Sequence, residues 1–150
     1  MRIHFAIPHY YDPEGNKFYG SLGTDVNRRT AAVITTVIGL YQALDRHQGL
    51  LDGQKRRVHL ASTYDPIEVA VTICTTRGKH LIAALKPLQG LFTHVETNAE
   101  PAYLGFECHA VLQRSLGSFD YYCFLEDDLL ITDPLFFTKL EWFNGLAGDD

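Results

Sequence analysis

Short apolar runs alternate with longer segments of helical periodicity, and this alternation constrains the fold of the 150-residue chain more than any other feature. The run Tyr121–Leu125 is apolar throughout, as expected for a strand covered on both faces. Strands that alternate with helices predict an α/β fold, a three-layer sandwich with a mainly parallel sheet. In such sheets, ligands bind at the carboxyl ends of the strands.

Two segments predict well-formed helices. Apolar residues recur at helical spacing over 25–45, and Thr24 or Asp25 can cap this helix. A second helix is predicted over 101–116, with Pro101 in its first turn. The other predicted elements are strands over 3–7, 58–63, 67–74, 92–95 and 121–125, a short helix over 79–86 that Pro87 stops, and a last helix from Asp133 to Gly145 with Phe136, Phe137, Leu140 and Phe143 on its inner side.

Composition excludes several classes of protein. Hydrophobic residues make up 46% of the chain and aromatic residues 12%, which is too rich for a disordered chain. No apolar run reaches the roughly 18 residues of a transmembrane helix, and the amino terminus lacks a signal-peptide pattern, so we expect a soluble, cytoplasmic protein. The net charge of −5 without a basic stripe argues against nucleic-acid binding. Cys74, Cys108 and Cys123 lie far apart in apolar stretches, which predicts buried free thiols.

The most informative segment is Glu126-Asp127-Asp128, directly after the last predicted strand. Adjacent carboxylates repel one another, burial increases the repulsion, and a divalent cation relieves it. Carboxylate oxygens suit Mg²⁺ or Mn²⁺. The alternative interpretation is a solvated acidic turn, in which Asp133 only caps the next helix. Residues 118–150 hold one basic and eight acidic residues, a net charge of −7, and this excess raises the possibility of a bound cation.

The segment over 124–137, FLEDDLLITDPLFF, resembles the metal-binding segment of GT-A fold glycosyltransferases, most closely the N-acetylglucosaminyltransferase I type. The resemblance implies that Asp128 binds Mn²⁺ or Mg²⁺, which bridges the diphosphate of a UDP-sugar. Asp127 is implied to contact the ribose, directly or through water, and Glu126 the donor sugar. The close match covers about 14 residues, and the agreement over the rest of the chain is a fold-level analogy.

The same resemblance places the end of the first strand near the nucleotide base. Pro8, His9 and Tyr10 are therefore predicted to bind the nucleotide-sugar, with Tyr10 or Tyr11 stacking on uracil and His9 donating a hydrogen bond. The alternative is that these aromatic side chains close the edge of the core. Asp65 follows another predicted strand, and the resemblance implies that it accepts the uracil N3–H, although an Asp-Pro sequence also fits a plain turn.

Basic side chains at helix starts and strand ends are candidates for the diphosphate. Arg28 and Arg29 lie in the first turn of the first predicted helix, where helix N-termini attract phosphate and one arginine of the pair can bind it. Of the two, Arg28 is predicted to bind the nucleotide-sugar. The segment over 77–80, which follows a strand, is a weaker phosphate candidate. His109 lies in the helix before the acidic segment, near where the resemblance places donor contacts. The alternative for each is a solvated surface position.

These observations predict that residues 1–150 are the N-terminal, nucleotide-sugar-binding part of a GT-A domain. The family's catalytic base and acceptor site follow the acidic motif, and only 22 residues follow Asp128, so we expect those parts to be missing. The predicted activity is a metal-dependent glycosyl transfer from a nucleotide-diphosphate sugar to an unknown acceptor. Two alternatives stay open: a metal-dependent α/β phosphotransfer or hydrolase domain, and a non-enzymatic binding domain with a surface acidic cluster.

Overall fold

The computed structural model describes residues 1–15, 25–45, 49–60 and 67–148. Its strands and helices largely follow the predicted alternation. The strands are β1 (Arg2–Pro8), β2 (Gly49–Asp52), β3 (Arg57–Leu60), β4 (Glu68–Thr76), β5 (Thr93–Thr97) and β6 (Tyr121–Phe124). The α-helices are α1 (Val26–Leu44), α2 (Leu104–Arg114) and α3 (Phe136–Ala147), and two 3₁₀-helices span Ile82–Leu88 and Pro101–Tyr103.

The main sheet has the strand order β5-β4-β1-β6, and every pairing in it is parallel. The first strand is central, since Phe5 lies opposite Val71 of β4 on one side and Cys123 of β6 on the other. Helices lie on both faces of this sheet. The predicted α/β fold with a mainly parallel sheet is confirmed, and the arrangement is compatible with a three-layer sandwich.

The strand β1 separates two apolar layers. Its alternate side chains Ile3, Phe5 and Ile7 are buried with Val33, Val37 and Leu40 of α1 and with Phe137 of α3. Ala6 points to the other face and packs in a second cluster with Cys74 of β4 and with Leu104, Cys108 and Leu112 of α2. Cys74 and Cys108 are buried free thiols, as predicted, whereas Cys123 is half-buried. Burial raises the pKa of the Cys123 thiol to about 11.

The predicted strand over 58–63 is in part correct, but it does not belong to the main sheet. The structure forms β3 over Arg57–Leu60, and residues 61–63 lie outside the described part of the chain. This strand pairs antiparallel with β2 in a separate two-stranded sheet. Arg56 adopts a φ of 49° in the connecting turn, which folds the chain straight back on itself. An apolar–polar alternation identifies a strand but does not select the strand that pairs with it.

Two helix boundaries differ from the prediction. The helix expected over 79–86 is a 3₁₀-helix over Ile82–Leu88, and Pro87 lies inside it rather than after it. The Pro87 nitrogen cannot donate a hydrogen bond, and the turns on either side of it are closed by the Ala84 N–H to the Leu81 carbonyl at 2.9 Å and by the Gln89 N–H to the Lys86 carbonyl at 3.2 Å. The helix expected over 101–116 begins as the 3₁₀-turn Pro101–Tyr103 and continues as α2.

The last helix also differs from the prediction. Asp133 accepts a hydrogen bond from the Leu135 N–H at 2.9 Å, and α3 begins only at Phe136. The helix continues past Gly145 and ends before Gly148, whose φ is +70°. Phe137 is buried and Leu140 packs against the core, as expected. Phe136 and Phe143 are exposed, so their predicted place on the inner side is wrong. The face of α3 that meets the core is centred on Phe137 and Leu140, and at helical spacing the other two rings lie to one side of that face.

The strand β6 is less covered than its apolar sequence predicts. Tyr121, Tyr122 and Cys123 are half-buried, and Phe124 is exposed. Among the described strands, β6 pairs with β1 alone and forms one edge of the sheet. Its position beside the central strand nevertheless places the acidic segment next to the end of β1.

Candidate functional site

Two predicted segments meet at the carboxyl edge of the sheet. The strands β1 and β6 are parallel neighbours, and the pairing continues past β6, where the Leu125 N–H donates to the Ala6 carbonyl at 3.2 Å. The chain after Pro8 and the chain after Phe124 therefore leave the sheet side by side. The topology brings together the two candidate regions that are farthest apart in the sequence.

A cavity of about 720 Å³ opens at this edge. Its volume lies in the range of small-molecule binding sites. Of the predicted site residues, the cavity is lined by Pro8, Tyr10, Glu126 and Asp127, and also by Arg29 of the arginine pair. Asp128 and His9 are not among the described residues that line it. Further lining comes from the loop after β1, from the amino-terminal turn of α1 and from the start of α2, through Asp12, Arg29, Glu100, Pro101, Leu104 and Gly105.

Asp127 is the most constrained carboxylate of the acidic segment. Its Oδ2 accepts a hydrogen bond from His9 Nδ1 at 2.6 Å, and its Oδ1 accepts one from Arg29. Its backbone carbonyl accepts a third from the Thr36 hydroxyl at 3.1 Å. The side chain is 3% exposed. Asp127 thus joins the acidic segment to β1 and α1, and the ribose contact that the resemblance implies would have to share oxygens that already have partners.

His9 is fully buried behind the acidic segment rather than exposed in the cavity. The Leu81 N–H donates to its Nε2 at 3.1 Å, so this nitrogen is an acceptor and carries no proton. Nδ1 then holds the ring proton and donates it to Asp127. Both ring nitrogens are used within the protein, and the predicted hydrogen bond from His9 to a nucleotide stays a prediction that this geometry does not favour.

Asp128 differs sharply from its neighbour. Its side chain is 58% exposed, and its described ion pair joins Oδ2 to the Arg29 Nη1 at 3.6 Å. Arg29 therefore reaches both aspartates from the start of α1, and its own side chain is only 14% exposed. Glu126 lines the cavity, and its pKa is raised by burial and by the charges of Asp127 and Asp128.

Charge pairing around the cavity indicates which carboxylates have room for a cation. Asp12 pairs with Lys79, and Glu100 pairs with Arg77 at 2.5 Å. Asp127 has Arg29, which leaves Glu126 and the exposed oxygens of Asp128 least compensated. This pattern fits a divalent cation that takes one or two protein carboxylates and completes its shell with ligand phosphates. It does not form a closed metal site, because no group of three or more His, Cys, Asp or Glu side chains converges within the described ranges.

The two tyrosines after β1 take different positions. Tyr10 lines the cavity, and its hydroxyl donates to Asp12 Oδ2 at 3.3 Å. Burial raises the pKa of Tyr10, and the charge of Asp12 raises it further. Tyr11 is buried, and its hydroxyl has no hydrogen-bond partner among the described residues. Tyr10 is therefore the tyrosine in position to contact a ligand.

The remaining predicted residues lie away from the cavity or outside the described chain. Arg28 is exposed, and its backbone N–H donates to the Asp25 carboxylate that caps α1. His109 is exposed on α2, and its ring centroid lies 5.7 Å from that of Phe124, which itself lines the cavity. Neither side chain is among the described residues that form the cavity wall. Asp65 lies outside the described residues.

Residues 77–80 support the cavity through ion pairs and a backbone turn. Arg77 and Lys79 hold Glu100 and Asp12, which belong to two different parts of the cavity wall. The sequence placed Arg77 and Lys79 as weak phosphate candidates, and in the structure their charges are directed to carboxylates of the protein. The role of Asp12 was not predicted, although its place four residues after a strand end was visible in the sequence.

No protein-family model matches the chain, and comparison with curated proteins and with solved structures finds no match either. No described helix combines the length and apolar character that crossing a bilayer requires.

Proposed function

We propose that the chain forms the donor-binding part of a metal-dependent glycosyltransferase of GT-A type, and that its donor is a UDP-linked sugar. One observation carries the proposal. The acidic segment after β6, the end of β1 and the first turn of α1 contribute Glu126, Tyr10 and Arg29 to the same cavity at the carboxyl edge of a parallel sheet. This edge is where α/β sheets bind their ligands.

Residues of the cavity wall, together with Asp128 of the acidic segment, each have a chemical part in donor binding. The aromatic ring of Tyr10 offers a face for the nucleotide base, and the Arg29 guanidinium offers donors to phosphate oxygens. Glu126 offers a hydrogen-bond acceptor to the sugar hydroxyls. Asp128 would hold Mn²⁺ or Mg²⁺, which when bound neutralises the charge that develops on the departing diphosphate. Asp127 is buried and accepts hydrogen bonds from His9 and Arg29, so it holds the acidic segment against the end of β1 and the start of α1.

Calorimetric titration of UDP in the presence of Mn²⁺ tests the proposal. We expect binding that is lost in EDTA and weakened at least about tenfold by Asp128→Ala, since removing a metal ligand of this kind costs at least one order of magnitude. Asp120→Ala is the matched control, because this substitution removes the same charge at the opposite end of β6. Asp120 pairs there with Arg2, away from the cavity.

The outcomes separate the interpretations of the acidic segment. Binding that requires both the metal and Asp128 but tolerates Asp120→Ala supports the donor site. A folded protein that binds no UDP under any of these conditions contradicts the proposal. Equal loss in both variants would indicate a general effect of charge and would also contradict it.

A further inference from the structure

The hairpin formed by β2 and β3 has an exposed apolar pair of side chains. Among the described strands, β2 and β3 pair only with each other and form a sheet separate from the main one. Leu51 and Val58 lie directly opposite each other in this hairpin and are 73% and 70% exposed. A two-stranded hairpin with nothing packed on it is at best marginally stable in water. The exposed pair therefore indicates a surface that a partner covers.

Apolar side chains lie on both faces of the hairpin. Residues directly opposite in an antiparallel pair point to the same face, and successive residues of one strand point to opposite faces. Leu51 and Val58 thus share one face, while Leu50, which is also exposed, shares the other face with His59. A protein partner that packs on one face would leave the other uncovered, whereas the interfacial layer of a lipid bilayer surrounds the hairpin on both sides.

The turn between the two strands carries positive charge. Lys55, Arg56 and Arg57 are consecutive and exposed. The segment over 49–60 holds these three basic residues and one acidic residue, a net charge of +2, whereas the whole chain has a net charge of −5. The hairpin is therefore a part of this acidic protein that an anionic surface would attract.

The backbone of the turn holds these charges in a defined place. The Asp52 Oδ1 accepts hydrogen bonds from the Gln54 N–H at 3.1 Å and from the Lys55 N–H at 3.0 Å. The Lys55 ammonium lies 3.9 Å from Asp52 Oδ2, so this ion pair is long, and the Lys55 side chain stays 71% exposed. The turn is thus fixed by its own hydrogen bonds, while its basic side chains remain available to a partner.

We infer that the hairpin binds the surface of an anionic lipid bilayer. Leu50, Leu51 and Val58 would enter the interfacial layer, where burial of apolar area is favourable. Lys55 and Arg56 have long side chains whose charged ends can reach the lipid phosphates. The inference does not depend on the proposed function, and it concerns attachment to the bilayer surface rather than a span across it.

Two other classes of partner match these features less well. A nucleic acid would attract the basic residues, but its phosphate backbone offers no apolar layer to Leu51 and Val58. A stable protein interface uses about 20–30 residues on each side, and the segment over 49–60 offers far fewer. Reversible attachment to a bilayer requires only a few apolar side chains together with a few positive charges.

Co-sedimentation with lipid vesicles, without nucleotide or metal, tests the inference. Vesicles of phosphatidylcholine alone are compared with vesicles in which phosphatidylserine replaces a quarter of the lipid. We expect at least about tenfold tighter binding to the anionic vesicles, because each basic residue near them adds attraction. The double variant Lys55→Gln/Arg56→Gln should lose most of this preference. Its matched control is Lys86→Gln/Arg114→Gln, which removes two exposed basic residues from other elements.

The substitution Leu51→Thr tests the apolar contribution, because threonine suits a strand but places a hydroxyl group where leucine is apolar. We expect binding to the anionic vesicles to weaken about tenfold, since less apolar area enters the interfacial layer. Leu116→Thr is the control, because Leu116 is 66% exposed in the turn after α2. Circular dichroism of each variant verifies that the protein is folded.

The outcomes decide the inference in either direction. Equal binding to both kinds of vesicle, or no binding by the folded protein, overturns it. Losses that are as large in the control variants as in the hairpin variants also overturn it. If Lys55→Gln/Arg56→Gln loses binding while Leu51→Thr keeps it, the contact is purely ionic and insertion of the hairpin is contradicted. UDP titration is a separate measurement, so failure of the donor proposal would leave these outcomes unchanged.

Discussion

Adjacent residues of the acidic segment have different physical roles. Asp127 is buried, with both carboxylate oxygens paired, whereas Asp128 is mostly exposed and has one long ion pair. The three letters Glu-Asp-Asp identify the segment in the sequence but do not show which acid faces inward. That distinction comes from His9 and Arg29, which approach from distant parts of the chain.

The contrast predicts different stability losses for the same substitution. Asp127→Asn leaves the Arg29 charge largely buried without its partner and should cost about 3 kcal/mol of unfolding free energy. Asp128→Asn removes an exposed, long ion pair and should cost less than about 1 kcal/mol. Urea unfolding monitored by circular dichroism measures both. Similar losses in the two variants would contradict the structural role assigned to Asp127.

At the scale of elements, the sequence predicted the existence of most helices and strands better than their contacts. Val33, Val37 and Leu44 belong to the apolar face that helical spacing predicts, and the structure buries them. Arg28 was the arginine predicted for the nucleotide-sugar, whereas Arg29, four residues before Val33 on the same face, is the one that turns inward, a difference that helical spacing could have shown. The pairing of β3 with β2 was not readable, because it depends on a turn that local periodicity does not encode.

The loss of unfolding free energy when a leucine is replaced by alanine should depend on how deeply its element buries it. Leu40 of α1 is 1% exposed in the main core, and Leu50 of β2 is 66% exposed. We expect Leu40→Ala to lower the unfolding free energy by about 2–5 kcal/mol, since it leaves a cavity. Leu50→Ala should change it by no more than about 0.5 kcal/mol. Chemical denaturation of the two variants checks this, and a large effect at Leu50 would show that the hairpin packs against further structure.

At the scale of the whole molecule, histidines link strands of the main sheet to one another and to α2. His4 of β1 hydrogen-bonds Ser115 at 2.8 Å and Thr72 at 2.9 Å, which links the central strand to β4 and to the end of α2. Burial lowers the pKa of His4. The pKa of His94 is also lowered, by burial and by the neighbouring His80. Both lie on elements of the main sheet.

These shifts predict that the protein loses stability as the pH falls below about 6.5, the ordinary histidine pKa. In this window, the unfolded chain binds protons that the folded chain does not. The free energy of unfolding therefore decreases as the pH falls, until the pH lies below the lowered pKa values of the folded protein. Glu126 has the opposite effect at lower pH, because its pKa is raised in the folded protein. Just above the ordinary glutamate pKa, the folded chain binds a proton more readily than the unfolded chain, which increases the free energy of unfolding. Urea midpoints at about pH 7.5 and about pH 5.5 should therefore differ.

His4→Gln should reduce this difference, because glutamine keeps a donor and an acceptor but does not titrate. The control is His59→Gln, which removes an imidazole from the exposed surface of β3. A pH dependence that is unchanged in His4→Gln, or reduced equally in both variants, would contradict the role of His4.

The strand order also has a consequence for how the chain folds during synthesis. The central strand β1 is made before the other described strands of the sheet, yet one of its two partners, β6, is formed by residues 121–124. Pairings between such distant segments carry a large loop-closure cost, and they slow folding. The cavity edge between β1 and β6 cannot assemble until residue 124 has left the ribosome. The nascent protein must therefore hold its central strand unpaired on that side, which makes β1 the segment for which a chaperone would have the longest opportunity to bind.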